Sequence, residues 1–166
     1  AMVFAMTLSV SAAGDGTITI NAATVGETYK IYKIFDATTQ GDNTAYTYTK
    51  TGDGDELYAA LIGDDSPFTL TATAGDANKF NVSLKEGKIG SEIAVFLKTI
   101  ERKMGTADAE QTAISTTVEF TGLDYGYYYI AKAATEQPGP TVGVTSVAPD
   151  QIINDKSTKP GEPDPD

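Results

Sequence analysis

Between Thr17 and Asn154 the chain runs in short stretches where apolar and polar side chains alternate, punctuated by Gly, Asp, Asn and Pro. A period of two puts successive side chains on opposite faces of a strand, so this patterning confines the chain to a mainly β fold. The runs predict strands over 17–20, 28–35, 46–49, 68–73, 79–84, 116–120, 127–133, 141–147 and 151–154. The turn-rich stretch Ala74 to Asn78 predicts a hairpin between the fourth and fifth of these. In the second run Tyr29, Ile31, Lys33 and Phe35 fall on one face.

One segment departs from this period. From Ser91 to Met104, Ile93, Phe96, Leu97, Ile100 and Met104 recur at helical spacing, which predicts an amphipathic helix. Ser91 is placed to cap it, Arg102 and Lys103 complement its dipole, and Gly105 suits a left-handed ending. Asp55 is placed to cap a shorter helix reaching Ile62. Many short strands with turns between them and an inserted helix predict a β-sandwich.

Charge and composition exclude several functions. With 12 Lys plus Arg against 23 Asp plus Glu, the net charge is −11, which repels nucleic acid and anionic membrane surfaces. The chain has neither Cys nor His, so thiolate chemistry and the commonest general base are absent. No Gly-x-Ser-x-Gly elbow or Ser-x-x-Lys helix start is present. The acidic runs Asp53-Gly54-Asp55-Glu56 and Gly63-Asp64-Asp65 lack the spacing of a helix-loop-helix calcium site and read as solvated turns. The sequence therefore predicts a non-enzymatic protein without cofactor or metal. The run Tyr125 to Tyr129 is expected to fill a core with one face and to leave its outward rings on an exposed sheet, where they could meet a glycan or peptide.

The ends differ from the body. Residues 1–13 are apolar from Met2 to Val10 and close on Ser11-Ala12-Ala13, the pattern of a secretory signal-peptide remnant; an extra strand on a sheet edge is the competing reading. Residues 155–166 are acidic and proline-rich, the composition of a linker toward a further domain.

Two motifs carry a family resemblance. Gly26-Glu27-Thr28-Tyr29-Lys30-Ile31-Tyr32-Lys33 resembles the glycine-led second strand of collagen-adhesin B-type domains. Val118 to Ile130 (VEFTGLDYGYYYI) resembles their phenylalanine, leucine, glycine and tyrosine corner. Over 14–154 the chain is similar to the N-terminal domain of a sortase-assembled major pilin of Gram-positive bacteria. The resemblance implies an immunoglobulin-like sandwich and a cell-wall-anchored extracellular pilus, with neighbouring pilin subunits and a pilus sortase as partners. A surface adhesin binding host glycan or matrix protein is the alternative.

In that family an amide often joins a Lys and an Asn, promoted by a buried acid. Gly14 to Val25 contains no Lys, and Ala131-Lys132 stands where the resemblance places the Glu, so no standard bond is expected. The remaining arrangement is a Lys33–Asn154 amide assisted by Glu119, set against a Lys33 that reaches solvent along its own stem. The resemblance also makes Lys156 and Lys159 the candidates for linkage to the next subunit.

Overall fold

The structure is a computed structural model and describes residues 7–8, 15–40, 45–52, 54–132, 138–145 and 148–155. In chain order, the strands before the first helix are β1 (Thr7–Leu8), β2 (Gly16–Asn21), β3 (Thr28–Gln40) and β4 (Ala45–Thr51). Helix α1 (Glu56–Leu61) precedes β5 (Phe68–Thr73) and β6 (Asp76–Leu84). Helix α2 (Gly90–Thr99) and a 3-10 turn (Glu101–Met104) lead to β7 (Ala109–Thr112) and β8 (Thr117–Leu123). The chain then forms β9 (Gly126–Lys132), β10 (Thr141–Val144) and β11 (Asp150–Asn154).

These strands make two sheets packed together. The larger follows β1-β7-β3-β4-β6-β5, with β9 pairing β3 and β10 pairing β9; the smaller is β11-β2-β8. Strand β3 is the hub, pairing with β7 over Thr28–Ile31, with β9 over Tyr29–Asp36 and with β4 over Asp36–Gln40. Among the described residues every strand pairing is antiparallel except that of β2 with β11, which run parallel over Thr17–Asn21 and Asp150–Asn154.

Around β3 and β9 the large sheet is a middle layer, buried on both faces, whereas its β5–β6 hairpin is largely exposed. Ile18, Ile20, Val118 and Phe120 of the small sheet pack on Tyr29, Ile31, Tyr128 and Ile130. On its other face Tyr32, Ile34, Tyr129 and Ala131 meet Leu57, Leu61, Ile93, Leu97 and Ile100 of the helical segments. Period-two alternation along β9 thus feeds two cores rather than one core and solvent. The outward Tyr face expected of an exposed sheet is covered: Tyr129 is fully buried and Tyr127 is half-buried among Phe35, Tyr48 and Phe68.

Several local expectations need correction. A register shift between Lys33 and Phe35 turns Phe35 away from the face of Tyr29 and Ile31, so it joins Ile34 in the helical core. That bulge meets Gly126, whose added Cβ would lie 2.5 Å from the Phe35 carbonyl and 2.7 Å from Lys33 Cδ. The long helix begins at Gly90 with Ile89 in the capping position, so Ser91 lies inside it and makes no cap. It tightens to a 3-10 turn after Ile100 and ends at Gly105, whose φ of 76° is a left-handed geometry glycine adopts freely. Asp55 does cap α1, accepting the Tyr58 N–H at 2.6 Å. The 68–73 and 76–84 strands pair as a hairpin around Gly75. Strand β7, Ala-Glu-Gln-Thr, carries no large apolar residue and shows no readable alternation, which is why the sequence did not announce it.

Candidate functional site

The parallel β2–β11 pair ties the first strand of the small sheet to the last described strand. Tyr29 enters the core from β3 with its hydroxyl at the rim, where β2 and β11 end. That hydroxyl donates to Asp155 Oδ2 at 2.5 Å and accepts the Thr24 N–H at 2.9 Å. Lys132, the last residue of β9, brings Nζ to 3.2 Å from Oδ2 and 3.4 Å from Oδ1 of the same carboxylate. The Asp155 N–H donates to the Asn21 carbonyl at 2.9 Å, extending the ladder one residue past Asn154.

This carboxylate is held tightly. Its side chain is 7% exposed and that of Lys132 is 14% exposed, so their attraction acts in a medium drier than water. Burial first, then the hydrogen bond from its hydroxyl to Asp155, pushes the Tyr29 phenol up to about 12. Tyr29 therefore stays a donor across the ordinary pH range. Asp155, assigned by composition to the linker, is anchored to the fold.

A second charged cluster lies further along β3. Lys33 Nζ stands 2.8 Å from Asp36 and 3.7 Å from Asp124, while its backbone N–H donates to Asp108 at 2.6 Å. Burial alone would lower the Lys33 pKa, but the hydrogen bond and charge of Asp36, helped by Asp124 and Asp108, raise it. Burial raises the Asp108 carboxyl against the pull of Lys33. Tyr128 closes the cluster by donating to the Asp124 carbonyl at 2.7 Å.

The residues weighed for an internal amide are not brought together. Lys33 pairs in register with Tyr128, four residues along β3 from the Tyr29 rim. Asn154 lies at that rim, exposed and opposite Asn21. Glu119 is exposed on β8 opposite Thr19, and its carbonyl accepts from Gln111 Nε2. Lys33 instead keeps a charged, acid-bound ammonium, the opposite of the neutral amine such chemistry needs. Lys156 and Lys159 lie outside the described residues.

Sequence reasoning missed the pair that the fold does assemble. Lys132 and Asp155 are 23 residues apart, and each was read only for what it was not: a missing Glu and a piece of linker. The available signal was a Lys ending an apolar strand and an Asp directly following Ile152-Ile153-Asn154.

Among the described residues no group of acids is arranged to hold a metal ion. Asp55, from the acidic runs weighed for calcium, is spent on the α1 cap and an ion pair with Lys50 at 3.9 Å. No helix of the described residues is long and apolar enough to cross a membrane. No protein-family model matches the chain, and no curated protein matches it.

Proposed function

We propose that the chain is a load-bearing module of a cell-surface pilus, an immunoglobulin-like sandwich of the collagen-adhesin B type whose task is to transmit tension. The observation that carries this reading is the parallel pairing of β2, the first strand of the small sheet, with β11, the last described strand. In a parallel pair the N-terminal end of β2 and the C-terminal end of β11 lie at opposite ends of the ladder. Once the two-residue β1–β7 pairing has given way, tension between β2 and β11 loads all five of their register pairs in shear at once. An antiparallel terminal pair would instead unzip one bond at a time.

The Tyr29–Asp155–Lys132 clamp sits where that tension enters β11 and opposes peeling. Forced unfolding is governed by the unfolding rate, so a fold of this kind is useful for its kinetic stability. Neighbouring subunits would be joined by an external sortase through Lys156 or Lys159, outside the cell and anchored to the wall of a Gram-positive bacterium.

Two measurements test the reading. Pulling on the full chain from its two ends is expected to give one cooperative rupture at several times the force needed when the β5–β6 hairpin is loaded across its open end. Gradual low-force lengthening would defeat the mechanical argument. Incubation with a pilus sortase and a peptide carrying its Leu-Pro-x-Thr-Gly signal is expected to cleave the peptide's Thr–Gly bond and join the threonine carbonyl to a lysine amine of the chain, an adduct that disappears when Lys156 and Lys159 are both changed to Arg; no adduct with several such sortases would defeat the pilin assignment.

A further inference from the structure

An open groove of about 700 Å³ lies on the helical side of the large sheet, lined by Tyr32, Lys98, Thr99, Glu101, Arg102 and Lys103. Three of the chain's 12 cationic residues stand within 98–103, including Arg102, its single arginine. Lys98 is bound to Glu101 at 3.1 Å, and Glu101 also accepts from the Tyr129 hydroxyl at 3.3 Å, so the one acid of the groove is engaged from two sides. Arg102 and Lys103 are exposed, and among the described residues no carboxylate pairs with either. The α2 dipole favours cations at this end, yet it occupies none of the guanidinium's five N–H donors, which suit a carboxylate in a bidentate grip.

We infer that this groove is a recognition site for an acidic segment of a second copy of the chain, and that the segment is Glu162–Asp166. Charge complementarity is the argument. On a chain of net charge −11 the groove gathers positive side chains, whereas Glu162, Asp164 and Asp166 alternate with prolines and no cation stands among them. Position argues for a neighbour over the chain's own groove. Asp155 is fixed by Asn21, Tyr29 and Lys132 on the face of the large sheet that meets β2, whereas Tyr32 opens onto the opposite, helical face. Asp155, from which the acidic segment continues, thus lies on the opposite face of the sheet from the groove. Such a contact is heterologous, so it can repeat from one copy to the next. It requires no covalent linkage and stands whether or not a sortase acts on the chain.

Sedimentation of the full-length chain across a concentration series tests this. At low salt the average mass is expected to rise with concentration, and to fall back in about 0.5 M salt, where exposed charges a few ångströms apart are screened. The double variant Arg102→Glu/Lys103→Glu is expected to weaken association at least tenfold, as is a triple variant with Glu162→Gln, Asp164→Asn and Asp166→Asn. Melting temperatures within a few degrees of the parent would show that both variants fold. Mixing the two is expected to restore dimers but no longer species, because one retains the tail and the other the groove. Monomer at all concentrations, association untouched by either variant, or a mixture that stays monomeric would overturn the inference.

Discussion

The two charged clusters on β3 use the same chemistry four residues apart and differ in everything around it. At the rim, Asp155 and Lys132 lie beneath the ends of β2 and β11 with side chains 7% and 14% exposed, and a phenol supplies a third contact. Around Lys33 the partners are at the surface, Asp36 with half of its side chain exposed, and three carboxylates compete for one ammonium. In the first case the ions are committed to one geometry, and removing one leaves the other in a dry place. In the second, water can replace whatever is lost. Charge pairs hold a fold together where the backbone has already excluded solvent, and only decorate it elsewhere.

That contrast can be broken or sharpened by substitution. Asp155→Ala should have the largest effect, about 3 kcal/mol of lost stability in urea unfolding, because it strips the half-dry Lys132 of this carboxylate. A loss under about 1 kcal/mol would make the rim no different from the surface cluster. Gly126→Ala should come next, at roughly 1–3 kcal/mol, since its Cβ would collide with the bulged backbone at Phe35. Tyr29→Phe should cost about 1–1.5 kcal/mol at neutral pH by deleting the donor to Asp155.

The same variant changes the alkaline limb. The Tyr29 proton is bound more tightly in the folded state, so the stability it contributes is present below pH 10 and lost as pH rises toward about 12. Tyr29→Phe should flatten that decline in a melting-temperature series, and an unchanged limb would remove Tyr29 from its causes. Lys33→Ala should matter least, below about 1 kcal/mol, and that little should fade with added salt.

Much of the strand plan was legible because it rests on local signals. Alternation located nearly every strand, and Gly75, Gly105 and Asp55 marked turns and caps through backbone geometry and a short acceptor side chain. What escaped depended on partners distant in sequence. The bulge at Lys33–Phe35 arises where β3 meets Gly126, some 90 residues on, and period-two reading cannot register a slip it does not see. The burial of both faces of the Tyr strand follows from helices that cover the second face, an outcome set by packing of separate segments. The clamp was hidden for the same reason: Tyr29, Lys132 and Asp155 are ordinary residues until three strand ends converge.

The parallel partnership of β2 and β11 also has a consequence for how the chain acquires its shape. Strand β2 waits for β8, about 100 residues downstream, and for β11, about 130 downstream, before either of its edges is satisfied. Such distant contacts close slowly: the β2–β8 ladder can form once β8 has been made, but the other edge of β2 stays open until β11 has been synthesised. A polypeptide emerging from a narrow passage would therefore keep one edge of β2 open until β11 is through, and complete its small sheet only then.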